Sequence, residues 1–75
     1  MINILEELQN GKKILWLADD IDTWGYNEDL SILEQWIEGS LTGLTMVVEA
    51  ISAESITVNW GDYIETYTSN DFSLV

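Results

Sequence analysis

The feature that most constrains the fold of this chain is its lack of any covalent or metal staple. Neither cysteine nor histidine occurs among its 75 residues. This excludes disulfides and thiolate metal sites and removes the commonest metal ligand. Chains this short lie near the lower limit for folding alone. Stability must therefore come from packing, to which the four tryptophans and three tyrosines can contribute large buried areas. We predict one folded domain over residues 1–75.

The charge balance limits the partners that such a domain can have. Fourteen acidic residues against Lys12 and Lys13 give a net charge of −12. Solubility alone needs a magnitude of roughly 2 to 8 in a small domain. Direct binding of nucleic acid is excluded because phosphate contacts need lysine and arginine, and an anionic membrane would repel the chain. The partner that remains is a basic surface or a cation.

Two further observations predict a cytoplasmic protein. Residues 1–10 carry acids where a signal peptide needs basic residues and an apolar core, and no apolar run approaches the ~20 residues of a membrane span. The absence of cysteine fits a reducing compartment.

Local signals predict a helix and then a strand at the start of the chain. Asn3 can cap a helix over about residues 3–10, with Glu6 at capping-box spacing and Gly11 at its end. The apolar run at residues 14–18 is short enough to be a strand buried on both faces.

A second helix is predicted from Asn27 to Gly39. Asn27 is a good N-cap, two acids follow it in the first turn, and Gly39 is a good stop. Apolar side chains recur there at heptad-like spacing. They are Leu30, Leu33, Ile37 and Leu41.

The remainder of the chain alternates with a period of two, which is typical of strands. We predict three antiparallel strands at residues 44–52, 55–60 and 63–68, followed by a polar tail anchored by Phe72. The predicted order is α-β-α-β-β-β, an α+β fold with two helices packed on a three- or four-stranded, mainly antiparallel sheet. The predicted core tryptophans are Trp16, Trp36 and Trp60, whereas Trp24 is expected to be partly exposed.

The acidic loop before the second predicted helix begins like a calcium-binding EF-hand loop but does not continue as one. Asp20, Asp22 and Gly25 match its first, third and sixth positions. Trp24 replaces the ligand at position five and Ser31 the bidentate glutamate at position twelve. We therefore predict no metal site and no cofactor. The chain also lacks the histidine, cysteine, arginine and glycine-rich phosphate loop of common active sites, so we predict that it is not an enzyme.

The acids point instead to a binding surface that imitates nucleic acid. Carboxylates four apart on a helix are separated by roughly 6 Å, and two apart on a strand by roughly 6.7 Å. Both distances are close to the step between phosphates of one DNA strand. We call the predicted surface the acidic ridge, with Trp24 and Tyr26 as its anchoring aromatics. Its carboxylates are Asp19, Asp20, Asp22, Glu28, Asp29, Glu34 and Glu38.

In size, charge and lack of cysteine the chain resembles the acidic inhibitors that phages and mobile elements direct at restriction, CRISPR, repair or transcription proteins. The resemblance implies a DNA mimic of anti-restriction or anti-CRISPR type that blocks a DNA- or RNA-binding protein, and it assigns no site residue. Two alternatives stay open. One is an immunity or antitoxin-like inhibitor of a basic toxin. The other is an accessory protein that associates with itself, so that both monomer and homodimer are possible.

Overall fold

The described residues of the computed structural model, 2–19 and 21–75, form one short helix and a single antiparallel sheet of seven strands. The helix is α1 (Ile4–Gln9). The strands are β1 (Lys13–Trp16), β2 (Thr23–Asn27), β3 (Ile32–Ile37), β4 (Ser40–Ile51), β5 (Ser55–Asn59), β6 (Ile64–Thr68) and β7 (Phe72–Leu74). The predicted α+β fold with two helices is therefore wrong.

The sheet curls into a nearly closed barrel. Its strand order is β6-β5-β4-β3-β2-β1-β7, so that β1 to β6 form a meander and β7 returns to pair with β1. Within the described residues, no ladder of backbone hydrogen bonds joins β6 to β7. At the turn between these strands, the Asp71 amide donates to the Thr68 carbonyl at 2.9 Å. We refer to the place where the ladder is missing as the β6–β7 gap.

The first predicted helix is confirmed, and it covers the barrel interior. The side chain of Asn3 accepts a hydrogen bond from the Glu6 amide at 3.0 Å, which satisfies one of the free donors at the helix start. Ile4 and Leu8 are buried. The Ile4 amide also donates to the Ala53 carbonyl in the β4–β5 turn. None of the described helical segments is long and apolar enough to cross a membrane.

The segment predicted as a second helix forms the β2–β3 hairpin instead. The Asn27 side chain does accept a hydrogen bond from the Leu30 amide at 3.2 Å, the contact expected of an N-cap, but here it stabilises the turn of the hairpin. β3 then ends in a two-residue turn, in which Glu38 and Gly39 have φ of 50° and 80°. Positive φ at both positions is the signature of a type I′ hairpin turn. The predicted helix stop is therefore a strand connection.

The apolar spacing that predicted this helix does not mark one buried face. Leu33 is fully buried opposite Met46 of β4. Leu30 lies in the β2–β3 turn and is 66% exposed, and Ile37 and Leu41 are also exposed. Leucine and isoleucine at three- and four-residue intervals are thus divided between the two faces of the sheet and a turn.

The strands predicted in the second half of the chain are present and pair antiparallel. β4 begins earlier than predicted, at Ser40. A register shift between Val48 and Ala50 places Ile51 opposite the buried Ile56. The predicted polar tail contains β7, and the expected anchor Phe72 is buried there.

The first strand is shorter and less buried than predicted. β1 ends at Trp16, and its side chains alternate, with Ile14 and Trp16 buried inside the barrel and Leu17 exposed beyond it. β1 is therefore buried on one face and not on both.

The tryptophans are arranged differently from the prediction. Trp24, expected to be partly exposed, is buried in the core, whereas Trp36 lies half-buried on the outer face of the sheet. Trp36 packs over Gly25, where a Cβ atom would come within 3.0 Å of the indole nitrogen. Lys13 covers the Trp36 ring with its Nζ 4.7 Å from the centroid.

The barrel interior is apolar, and no polar or charged side chain of the described residues is buried there. The buried residues come from the helix and from every strand except β6. They are Ile4, Leu8, Ile14, Trp16, Trp24, Leu33, Met46, Val48, Ile56, Val58 and Phe72.

Truncation of Leu33 and of Leu30 distinguishes the observed β2–β3 hairpin from the helix predicted for the same segment. Leu33→Ala should lower the free energy of unfolding by about 2–5 kcal/mol because it leaves a cavity in the core. Leu30→Ala should change it by less than about 0.5 kcal/mol because this side chain is exposed. Urea unfolding at one fixed salt concentration measures both variants. Equal losses would contradict the hairpin.

Candidate functional site

A pocket of about 470 Å³ opens at one end of the barrel. It lies where β1 ends, β2 begins, β5 ends and β6 begins, and in an antiparallel barrel these positions share one end. Half of its ten lining residues are aromatic: Trp16, Trp24, Trp60, Tyr63 and Tyr67. The polar part of the lining consists of Asp19, Asp22, Asp71 and Gln35, together with the small Ala18.

The floor of the pocket is a cluster of aromatic rings that spans the β6–β7 gap. The Trp16 ring centroid lies 4.7 Å from that of Tyr67 and 5.6 Å from that of Trp60. Trp16 also forms a T-shaped pair with Phe72, with 5.5 Å between the ring centroids. These distances are in the range of favourable aromatic pairs. The rings therefore connect β1 and β7 with β5 and β6 where the backbone ladder is absent.

Trp16 also carries an unsatisfied polar atom. Its indole Nε1 is buried and has no hydrogen-bond partner among the described residues. A buried donor without an acceptor costs free energy, and the tilted and edge-on rings around Trp16 offer it only weak π acceptors. The aromatic packing around Trp16 must therefore offset the free-energy cost of its unpaired indole N–H.

A hydrogen-bond chain fixes the wall of the pocket on the β6 side. Trp60 Nε1 donates to the Tyr67 hydroxyl at 2.6 Å, and that hydroxyl donates to Glu65 Oε2 at 3.1 Å. Tyr63 stacks on Trp60 with 6.2 Å between ring centroids and 26° between the planes. The hydrogen bonds therefore fix the orientations of the Trp60 and Tyr67 rings in the absence of any ligand.

The same environment raises the pKa of Tyr67 from 10.0 to about 12. Desolvation by burial is the main cause, and the hydrogen bond to Glu65 and the charge of that carboxylate add to it. The hydrogen bond from Trp60 acts in the opposite direction. Tyr67 is accordingly a neutral hydroxyl at physiological pH.

The three pocket aspartates are each held by a hydrogen bond at one oxygen. Asp22 Oδ2 accepts from Gln35 Nε2 at 2.9 Å, and Gln35 in turn accepts from the Thr42 hydroxyl at 2.6 Å. The other two accept from backbone amides: Asp19 Oδ1 from Ile21 at 3.1 Å and Asp71 Oδ2 from Thr68 at 2.9 Å. Among the described residues, the second oxygen of each carboxylate accepts no side-chain or turn hydrogen bond.

The chemistry of the pocket favours an organic cation. Aromatic faces carry negative electrostatic potential and attract cations, and three carboxylates add full negative charges at the rim. No lysine lines the pocket to neutralise them. The described residues contain no group of three or more potential ligands placed to hold a metal ion.

The structure brings only part of the acidic ridge to the pocket. Asp19, Asp22 and Trp24 line it together. Tyr26 lies on the same strand as Trp24 and packs against the core. Asp20 lies outside the described residues.

The other ridge residues lie elsewhere on the β2–β3 hairpin and beyond it. Glu28 and Asp29 are exposed in the β2–β3 turn, where Glu28 accepts a hydrogen bond from Gln9 of α1 at 2.8 Å. Glu34 faces outward from β3, and Glu38 lies in the β3–β4 turn. Along an extended chain, Glu34 and Glu38 are about 13 Å apart. The helical spacing of roughly 6 Å expected between these two carboxylates is therefore wrong.

Sequence reasoning missed the contribution of β6 to the pocket. Tyr63, Glu65 and Tyr67 alternate with exposed Ile64 and with threonines, and this period-two pattern places all three on one face. The pattern was sufficient to predict an aromatic face. What it could not reveal is that this face meets Trp16 across the barrel.

Comparison with known proteins finds no matching family model, no matching curated sequence and no matching solved structure.

Tyr67 makes stability depend on pH at the alkaline end. The neutral form is favoured in the folded state, so the folded protein binds more protons than the unfolded chain between pH 10 and about 12. Its contribution is fully present below pH 10 and is lost as the pH rises through 12. Urea unfolding of the native chain and of Tyr67→Phe across this window should show a steeper loss for the native chain. Parallel losses, or a tyrosinate absorbance titration without a high-pKa component, would contradict this assignment.

Proposed function

We propose that this chain is a non-enzymatic binding protein that occupies the basic surface with which another protein binds DNA or RNA. The observation that carries this proposal is the placement of charge. Of the fourteen acidic residues, all but Asp20 lie in the described part of the chain, and none of these is buried. Two lysines cannot balance them, and Lys13 is occupied over the Trp36 ring.

The small size of the barrel concentrates this charge. Its extents are 29 × 27 × 26 Å, and the Debye length at physiological ionic strength is about 8 Å. Carboxylates on the same face therefore reinforce one another and attract a basic partner over several ångströms, which speeds association. The β2–β3 hairpin, with the turn that follows β3, is the proposed contact region because it carries Glu28, Asp29, Glu34 and Glu38 of the acidic ridge.

The strand geometry refines what the surface would imitate. The described ridge carboxylates lie at a pocket rim, in two turns and on one outer face rather than at a regular step. Such an arrangement supports imitation of the overall negative charge of nucleic acid, and not of the phosphate spacing of one strand. The proposed partner is accordingly a broad basic groove of a nucleic-acid-binding protein, in the cytoplasm, where the absence of cysteine carries no penalty.

A self-associating accessory protein is the second candidate, and one observation favours it. Ile37, Leu41 and Leu44 are exposed on the β3–β4 hairpin, and exposed apolar clusters often mark interfaces. Each copy would bring a net charge of −12 to a dimer, so association should strengthen with salt. Binding to a basic partner should weaken with salt, and light scattering at low and high salt distinguishes the two.

Competition with nucleic acid tests the leading proposal. The chain is immobilised, proteins of its native host are captured at low salt, and duplex DNA, RNA or polyglutamate is used to elute them. Each captured protein is then purified, and its DNA or RNA binding is measured by fluorescence anisotropy with and without the chain. Competitive loss of nucleic-acid binding is the expected result. A captured protein that binds nucleic acid equally well in complex with the chain would overturn the proposal, and a captured basic toxin would indicate the immunity class.

Neutralising four carboxylates should separate binding from stability. Glu28→Gln, Asp29→Asn, Glu34→Gln and Glu38→Asn together should abolish competition because they remove the proposed contact charges. They should also raise the free energy of unfolding by a few tenths of a kcal/mol per charge at low salt, since like-charge repulsion is relieved.

The matched control removes the same charge from another part of the surface. Neutralising Glu6, Glu7, Glu49 and Glu54, on α1 and around the β4–β5 hairpin, should leave most of the competition intact. If both sets weaken competition equally, the β2–β3 hairpin is not the contact region. If the first set lowers stability, its carboxylates have a structural role instead.

A further inference from the structure

We infer that the pocket at the end of the barrel receives a single arginine side chain from the basic partner, with its guanidinium between the aromatic rings and the rim carboxylates. This inference rests on the proposed function and adds to it the group that is recognised. It assigns the pocket, to which the β2–β3 hairpin contributes Trp24 and Gln35, a separate role from the exposed carboxylates of that hairpin, which attract the partner through charge.

The aromatic wall provides the surface on which a planar cation can stack. Tyr63 is 54% exposed and stacks on Trp60, which is half-buried. Trp60 in turn is held by its hydrogen bond to Tyr67. Arginine stacks on aromatic faces and is more weakly hydrated than an ammonium group, so it loses less on entering such a site.

The rim carboxylates provide acceptors on more than one side. Asp22 is positioned through Gln35, and Asp19 and Asp71 are positioned by backbone amides. Each has a second oxygen available for a new donor. A guanidinium has five N–H donors in one plane and can satisfy several acceptors at once.

Size and charge exclude the other common occupants. The volume of about 470 Å³ lies within the range of roughly 300–1,000 Å³ that is usual for ligand pockets, and it exceeds the need of one side chain. Anions are repelled by three carboxylates. A neutral ligand would gain no charge attraction from the three rim carboxylates. No cation of the chain lines the pocket, so the charge of the rim is available to a partner.

The isolated chain allows a direct test with a defined probe. Nα-acetyl-arginine amide is titrated into the isotope-labelled protein at constant ionic strength, and amide and indole NMR signals are followed. The neutral citrulline analogue, which has nearly the same shape, and the lysine analogue serve as controls. We expect saturable shifts at Trp60, Tyr63 and Asp22 with arginine, binding at least about threefold weaker with lysine, and no saturable shift with citrulline. Equal shifts with all three probes, or none, would overturn the inference.

Variants at the rim and the wall test the site itself. Asp22→Asn with Asp71→Asn should raise the dissociation constant of the arginine probe about tenfold, because two charge-assisted contacts are lost. The matched control, Asp29→Asn with Glu54→Gln, changes the charge equally outside the pocket and should change it less than about twofold. Tyr63→Ala should weaken binding, whereas Ile64→Ala, on the opposite face of β6, should not. Equal effects of the paired variants would show that only general charge attracts the probe.

The two proposals fail in different ways. If the probe binds the pocket but the chain does not compete with nucleic acid for any captured protein, the proposed function is overturned, and with it the role of the pocket toward that partner. If the chain competes and the Asp22→Asn/Asp71→Asn and Tyr63→Ala variants compete as strongly as the native chain, the arginine site is overturned and the proposed function stands.

Discussion

The contact between Trp16 and Tyr67, with ring centroids 4.7 Å apart, is the interaction on which the closure of this barrel depends. β6 and β7 follow one another in the chain but lie at opposite edges of the sheet. Their edges face each other without a backbone ladder, so beyond the turn at residues 68–71 side chains must hold them together. Trp16 and Phe72 approach from β1 and β7, and Tyr67 and Trp60 approach from the other edge. In a chain without disulfides, this aromatic packing takes the place of a covalent closure.

The excess of negative charge is compatible with the fold because the barrel keeps its carboxylates out of the buried core. The buried side chains of β1 to β5 are apolar, and no described carboxylate is buried. Self-repulsion then acts only through solvent, where salt screens it. Glu65 is a carboxylate on the inner face of β6, which it shares with Tyr67. It is nevertheless exposed because that face opens at the β6–β7 gap. Its charge is one reason that the pKa of Tyr67 is raised.

Local rules predicted the elements whose signals do not depend on distant contacts. The capped helix at Asn3 and the antiparallel strands after residue 44 follow from capping chemistry and period-two alternation. The segment from Asn27 to Gly39 could not be read in this way. The side chain of Asn27 can accept a hydrogen bond from the amide three residues later both at the start of a helix and in a turn. Gly39 at positive φ can likewise end a helix or form part of a hairpin turn. Only the pairing of β3 with both β2 and β4 decides between them, and that is tertiary information. The pocket was unpredictable for the same reason, since its walls are separated by about fifty residues in sequence.

Closure and recognition use the same side chains, and this has a physical consequence. Trp16, Trp60 and Tyr67 both bridge the β6–β7 gap and line the pocket. A cation stacked in the pocket would contact both edges of the sheet, and a ligand that binds only the folded state stabilises it. Occupancy would therefore favour the closed barrel beyond what the rings achieve alone. The buried Nε1 of Trp16, which has no partner among the described residues, indicates that packing around this ring is kept despite its cost. A guanidinium has only N–H donors and would leave this indole N–H unpaired, so a bound arginine would stabilise the barrel through stacking on the rings and not by satisfying Trp16.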